Sequence, residues 1–377
     1  MLRTQWRAIR ALLILCVAFC ADAANASASE RIAPYEARFG RALPVIAVVG
    51  ENLGTELIDF VVPYGILSRS GAAEVVSVAT HSGPMQMRPA LRIEPDATLD
   101  SFDERFPEGA DYVIVPAIMA MDSKAPPIIE RWLQSQAAKG ASIVSICDGA
   151  LVVAKTGLLK GHRATGHWAT HAQRQRDYPD THWLQNTRYV ADGKFISSAG
   201  VTAAAPLSVA LVEAIAGTER AMQIAHDIGL ADWSTDHDSE QFRLRIGGYA
   251  LAIRNWLLPT RELGLRLEPG MDEVGIAMTA DALSRTYRSR AYTFSSVEGT
   301  VTTMHGLKIV PDRVVTEGKP ALHSVTWQDD APALRRLDET LDRIALLYGQ
   351  STSDFVALQL EYPRHSFAAS EQQSTTR

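Results

Sequence analysis

The stretch with the clearest chemical content runs from Ser142 to Ala154 and reads SIVSICDGALVVA. A β-branched apolar run stops at Cys147, and small residues open a helix at once. That pattern suits a nucleophile at a tight strand-to-helix turn, where Gly149 and Ala150 let the helix come close. Backbone N–H groups at the start of such a helix can stabilise a thiolate and cradle a developing oxyanion. An ordinary thiol, with a pKa of about 8.5, needs a helix N-terminus, a hydrogen bond or a base to be nucleophilic near neutrality. The competing reading is an inert cysteine buried at a strand end, because free cysteine is among the most buried residue types.

Other chemistry-bearing residues are weaker. His162, His167 and His171 are spaced by five and four, and on a helix the second pair could bind a metal. Asp236-His237-Asp238 lies in a polar segment and reads as a solvated loop. Gly-x-Ser-x-Gly, phosphate-loop and Cys-x-x-Cys patterns are absent from the sequence, so serine-hydrolase, nucleotide and zinc-ribbon readings lack support. No cofactor and no metal are expected.

The elements that must position Cys147 alternate. Short apolar runs at Pro44 to Val49, Glu74 to Ala79, Tyr112 to Pro116 and Ser142 to Ile146 read as strands. Glu56 to Ser68, Pro126 to Ala138, Gly149 to Thr156 and Ala203 to Ala216 read as helices, with Pro63 expected to bend or break the first. Tyr189 to Ser198 reads as a hairpin turning at Asp192-Gly193. Apolar strands separated by helices predict an α/β fold, a largely parallel sheet with helices on both faces. Phe242 to Leu258 is strongly apolar but holds Arg243, Arg245 and Arg254, and it reads as a buried packing or dimer helix.

The chain has 377 residues, 46% of them hydrophobic and 21% charged, with a net charge of −6. This excludes disordered, collagen-like and multispan membrane classes and lacks the basic footprint of nucleic-acid binding. Residues 1–23 read as a secretory signal. Arg3, Arg7 and Arg10 precede an apolar run from Ala11 to Cys20, and Ala21-Asp22-Ala23 fits a cleavage site. That run is too short to span a bilayer. Losing three Arg and one Asp would take the charge from −6 to −8. It would also remove Cys16 and Cys20, leaving Cys147 as a lone thiol in an oxidising, periplasmic or extracellular compartment. Residues 24–39 read as an Ala/Ser-rich linker, 40–240 as the main domain, 241–365 as a partial repeat and 366–377 as a polar tail.

The repeat rests on an echo at a constant offset of 216. Leu67-Ser68-Arg69 recurs as Leu283-Ser284-Arg285, and Gly83 as Gly299. The run from Leu91 to Asp96 (LRIEPD) recurs as Leu307 to Asp312 (LKIVPD). Asp272 and Gly275 stand at the places of Glu56 and Asp59. The echo is a half-module, because the C-terminal third has no room for a second Cys147 elbow.

The elbow, with Gly157 to Trp168 (GLLKGHRATGHW), resembles the ThiJ/PfpI superfamily, and more closely its isonitrile-hydratase and regulator-associated branch. Arg188 to Val201 is similar to the following hairpin, and Glu56 to Pro63 (ELIDFVVP) to the acidic-to-proline segment. The resemblance covers about residues 44–235. It implies a flavodoxin-like, class I glutamine-amidotransferase-like sandwich, usually dimeric. It also implies roles: Cys147 as the nucleophile, Asp59 as the acid beside the thiol, and His167 near the cysteine. Ala117, Ile118, Asp148, Gly149 and Thr165 would line the oxyanion site and pocket.

The departures from the family pattern bear on reactivity. Asp148 replaces a common Thr, and its charge opposes thiolate formation. Pro116-Ala117-Ile118 replaces Pro-Gly-Gly. The peptidase-like Cys-His pair is missing, and so is the regulators' helix-turn-helix module, so no nucleic-acid partner is expected. The reading is an exported hydratase- or lyase-type enzyme, a homodimer without a stable membrane anchor, acting on an isonitrile or a reactive carbonyl. The alternative is a non-catalytic thiol sensor or binding protein.

Overall fold

A computed structural model describes residues 30–119, 127–244, 246–315, 324–325 and 331–363. The proposed signal, the start of the linker and the polar tail lie outside the described residues. The chain divides into two compact units after Arg31, and every element below belongs to the second.

The first strand, β1 (Val45–Gly50), is buried along its whole length. Its near-continuous Val/Ile/Ala run is what a central parallel strand needs, because both faces are covered. Helix α1 (Leu57–Ser70) follows, then β2 (Glu74–Ala79), β3 (Ala97–Thr98) and β4 (Tyr112–Val115). Next come α2 (Ile128–Ala138), β5 (Ser142–Ser145) and α3 (Gly149–Lys155). The hairpin β6 (Tyr189–Asp192) and β7 (Phe195–Ser198) and α4 (Ala204–Ala216) complete the sandwich. The sheet order is β6-β7-β5-β4-β1-β2-β3. All neighbours are parallel except β6 and β7. The α/β expectation therefore holds, with one antiparallel edge.

Helix α1 differs from the expectation in one respect: it runs through Pro63 without ending. An interior proline costs about 3 kcal/mol. The continuous burial from Leu57 to Leu67 offsets it, between the sheet and two further helices. A helix apolar all round must be covered all round.

The C-terminal region adds a second parallel sheet, built on β8 (Arg261–Arg266), α5 (Glu273–Ser284) and β9 (Ser289–Ser295). Residues Arg313–Val314 and Ser324–Val325 flank it. Helices α6 (Arg335–Tyr348) and α7 (Gln350–Gln359) follow. α5 packs on both α1 and α6. A small antiparallel sheet joins the two regions, pairing Ile93 with Ile309 and Glu94 with Lys308.

The apolar helix expected near Phe242 forms at Ile246–Leu257, but Asn255 is the one residue the fold buries there. Ile246, Tyr249, Ile253, Trp256 and Leu257 are exposed. Of the two expected roles, buried packing or a dimer helix, the first gives way to an outward apolar stripe, while the Asn255 amide donates to Thr286 O and Thr352 Oγ1.

Candidate active site

The sheet order reverses around β1: β2 lies on one side and β4 on the other. Ligand sites of open α/β sheets form at such a switch point, beyond the carboxyl ends of the strands. Asp59 sits in the first turn of α1, after β1. Ala117 follows β4, and Cys147 follows β5. Asp59 and Ala117 close the crevice directly, since the Ala117 N–H donates to Asp59 Oδ2 at 3.0 Å.

Cys147 has φ +56°, the left-handed region that non-glycine residues seldom occupy. Such a conformation costs about 1–3 kcal/mol and persists only when its surroundings enforce it. Two contacts do so. The Ile146 N–H donates to Val115 O at 2.9 Å, locking the end of β5 to β4. A Cβ on Gly149 would fall 2.0 Å from Val115 O, so the helix start can approach only as glycine. The elbow read in the sequence is present, and its cysteine is 5% exposed.

The electrostatics of the crevice are set by burial. Asp59 is fully buried. Burial pushes its carboxyl up to about 8, against the pull of the Ala117 N–H and Arg285. Its Oδ1 has no hydrogen-bond partner. Glu56 caps α1 by accepting the Asp59 N–H at 2.6 Å. Burial, Asp59 and Asp281 raise the Glu56 carboxyl, and Arg285 opposes them. The Cys147 thiol is raised by burial, then by Asp59, Asp148 and Glu56, while the Asp148 N–H works the other way.

Asp148 shows both sides of its expected effect. Its charge does oppose the thiolate. Its carboxylate also accepts from the Thr170 hydroxyl and lies 3.7 Å from the Arg174 guanidinium, itself buried. Arg174 also donates to Thr170 Oγ1 and to the carbonyls of His167 and Gly166.

Several expected placements change. His167 does not reach the thiol by any hydrogen bond. Its Nδ1 accepts from the Ala169 N–H at 3.3 Å, and its Nε2 meets Gln359 O at 3.2 Å. The end of α7 thus occupies the ring. The Ala117 amide, expected to face an oxyanion, is spent on Asp59. Thr165 is turned to the hairpin side, its N–H on Ser197 Oγ and its hydroxyl on Leu184 O. Ile118 is half-buried, bridged to Thr55. His237, expected in solvent, has a side chain 7% exposed and pairs with buried Glu361 at 2.7 Å. His162 is held by Asp192 at 3.1 Å. Among the described residues no cluster of three or more His, Cys, Asp or Glu side chains is arranged to hold a metal.

Sequence reasoning missed Arg174 and the contribution of Arg285 and Glu361. Arg174 sits in a charged run with Arg176, and nothing in the pattern separates the buried one from the exposed one. Arg285 was visible as the echo of Arg69, but its target was not.

Residues 45–214 match the model of the DJ-1/PfpI family. They are a DJ-1/PfpI family domain. The HTH-type transcriptional regulator CdhR of Pseudomonas aeruginosa is 26% identical over 217 residues, 56% of this chain and 62% of the regulator. The chain therefore spans under two thirds of that relative's length. Isonitrile hydratase of Pseudomonas putida is 27% identical over 173 residues, 44% of this chain and 70% of that protein. The Parkinson disease protein 7 homolog of Danio rerio is 26% identical over 51% of this chain and 98% of its own. Among solved structures, Drosophila melanogaster DJ-1beta is 23% identical with a TM-score of 0.45, covering 50% of this chain and all of its own. The DJ-1/PfpI domain accounts for the main sheet, Asp59 and Cys147, and the region from β8 onward lies beyond it.

Proposed function

We propose that this is an exported, cysteine-dependent enzyme of hydratase or lyase type, acting on a small electrophile. One observation carries the reading. Asp59 is a buried carboxyl that holds its proton to about pH 8, with Oδ2 tied to Ala117 and Oδ1 unpartnered, beside the thiol of a strained elbow. A protonated carboxyl next to a nucleophile is a proton donor in waiting.

With a reactive carbonyl, a bond forms between Cys147 Sγ and the carbonyl carbon, and the π pair moves to oxygen. Asp59 protonates that oxygen, and the thiol proton restores Asp59, giving a hemithioacetal. With an isonitrile, sulfur bonds the terminal carbon and the carbon lone pair takes the proton. Water then displaces the thiol to give an N-substituted formamide. Isonitrile hydratase among the relatives favours the second substrate class. The test is turnover of isonitriles and 2-oxoaldehydes by wild type and Cys147→Ser. Turnover that survives in Cys147→Ser, or is absent from both, sinks the enzyme reading.

The raised thiol favours a second reading, a non-catalytic sensor or binding protein. The Ala117 amide and the His167 ring, both already engaged, support it. Under that reading Cys147 alkylates slowly at neutral pH and no substrate is consumed.

A further inference from the structure

The contacts between the α1 and α5 regions come in pairs. Arg285 Nη2 donates to Glu56 Oε1, and Arg69 Nη2 donates to Asp272 Oδ2. Arg285 and Asp272 each lie 216 positions beyond Arg69 and Glu56, so one contact is made twice in opposite senses. The same holds in the joining sheet. Arg92 meets Asp312 at 3.4 Å, and Lys308 meets Asp96 at 3.2 Å. Between these pairs Ile93 faces Ile309, its own counterpart at that offset.

A contact of i with j′ matched by j with i′, with one residue opposite itself, is the signature of an isologous interface about a two-fold axis. The two regions also share internal fastenings. The Ser77 N–H and hydroxyl donate to the Asp96 carboxylate, and the Thr293 N–H and hydroxyl to Asp312. Glu56 caps α1 and Asp272 caps α5. Two strand registers agree as well: Val78 pairs with Ala97, and Phe294 pairs with Arg313.

We propose that residues 261–363 serve this chain as a built-in second subunit, and that Arg285 is the positioning residue this half supplies to the Cys147 site. The proposal rests on the thiol site described above and deepens it. Arg285 bridges Asp281 on its own helix and Glu56 on α1, and Glu56 holds the Asp59 N–H. The guanidinium is thus fixed behind the helix start that carries Asp59, whose charge bears on the thiol. The groups bearing on Cys147 are then Glu56 and Asp59 from α1, Asp148 from the elbow, Arg174 from the helix His171–Asp177, and Arg285 from α5. A second copy has no open face to dock on here, since α5 already covers α1. The symmetry-related pair, Arg69 with Asp272, serves no thiol, because Gly275 replaces Asp59 and residues 261–363 hold no cysteine. It is a control within the same molecule.

The experiment is the pH profile of Cys147 alkylation by iodoacetamide in the full chain, read on the Cys147 peptide by mass spectrometry, with sedimentation equilibrium alongside. The profile is expected to stay constant on dilution. Arg285→Leu is expected to move it to higher pH, with alkylation at fixed pH about tenfold slower, the equivalent of one pKa unit. Arg69→Leu is expected to leave it in place. If Arg285→Leu does not fold by circular dichroism, Arg285→Lys decides. It keeps the charge but loses the planar fork that spans Glu56 and Asp281, and a shift of about threefold is expected. Folded Arg285 variants that titrate like wild type overturn the proposal. So does an alkylation rate that falls as a dimer dissociates. Absence of substrate turnover would count against the enzyme reading alone, because the titration needs no substrate.

Discussion

Asp59 and Glu273 are both fully buried carboxyls, each in the first turns of a helix that follows a central parallel strand. Their proton affinities move in opposite directions. Burial drives Asp59 up to about 8. Burial also pushes on Glu273, yet hydrogen bonding and charge from His305, whose Nδ1 lies 2.6 Å from Oε1, bring it below its ordinary value. Depth alone therefore does not decide whether a buried acid keeps its proton; the nearest partner does. Glu273 has a dedicated imidazole partner and reads as structure. Asp59 has an amide on one oxygen and nothing on the other, which leaves its proton available for chemistry.

The strongest way to break this contrast is to remove the partner. His305→Leu takes the imidazole from buried Glu273 and leaves it the backbone N–H at position 305, and it is expected to cost about 3 kcal/mol, the upper range for stripping a partner from a buried polar group. Urea unfolding would measure it. A loss below about 1 kcal/mol, ordinary for an exposed pair, would mean that His305 does not hold the Glu273 charge.

Asp59→Asn tests the other side. The folded-state value lies above the unfolded one of about 4, so the folded protein binds the extra proton. Its contribution to stability is complete below about pH 4 and is lost as pH rises through about 8. Wild type should lose about 1.4 kcal/mol per pH unit across that window relative to Asp59→Asn. Thermal melts of both proteins from pH 5 to 9 would show whether the slopes differ. Parallel slopes would place Asp59 among ordinary carboxylates. The Glu273 pair has the opposite sign, since its stability is present above the unfolded value and lost only in acid.

Much of this arrangement was legible in the sequence. The βαβ alternation, the elbow at Cys147 and the acid at position 59 are local patterns, and local patterns survive without knowledge of packing. What local pattern does not carry depends on long-range contacts. The motif puts His167 near the cysteine, and only the fold brings α7, nearly 200 residues away in sequence, onto its Nε2. The Ala117 amide lies where a family oxyanion donor was expected, and the Asp59 carboxylate reaches it first. The helix at Ile246–Leu257 has the composition of a core element, and composition does not say which side meets the fold. Arg285 is the clearest case. The echo placed it opposite Arg69 in sequence, and only the crossing of α1 and α5 places it on Glu56.

Asp148 sharpens the comparison at the thiol itself. Asp148→Thr removes one of the charges that oppose the Cys147 thiolate while leaving a short polar side chain. Cys147 alkylation should shift to lower pH, by up to about one unit or tenfold in rate. An unchanged profile would mean that Thr170 and Arg174 already neutralise Asp148 fully as seen from the sulfur.

The smallest effect expected is at the cap of α5. Asp272 accepts from the Val274 and Gly275 N–H groups and pairs with Arg69, but both side chains of that pair are partly open to solvent. Asn caps a helix nearly as well as Asp, so Asp272→Asn chiefly removes a screened ion pair worth about 0–1 kcal/mol. The corresponding change at Glu56, which is buried, removes one of the two carboxylates on Arg285 and leaves Asp281 on the guanidinium, and it should cost about 1.5–3 kcal/mol, the range for a hydrogen bond to a charged group. Urea unfolding of the two single variants side by side measures the asymmetry between halves that share a layout. Equal losses would show that the two ends of the α1–α5 contact are energetically alike, and that the greater burial of Glu56 contributes nothing to the difference.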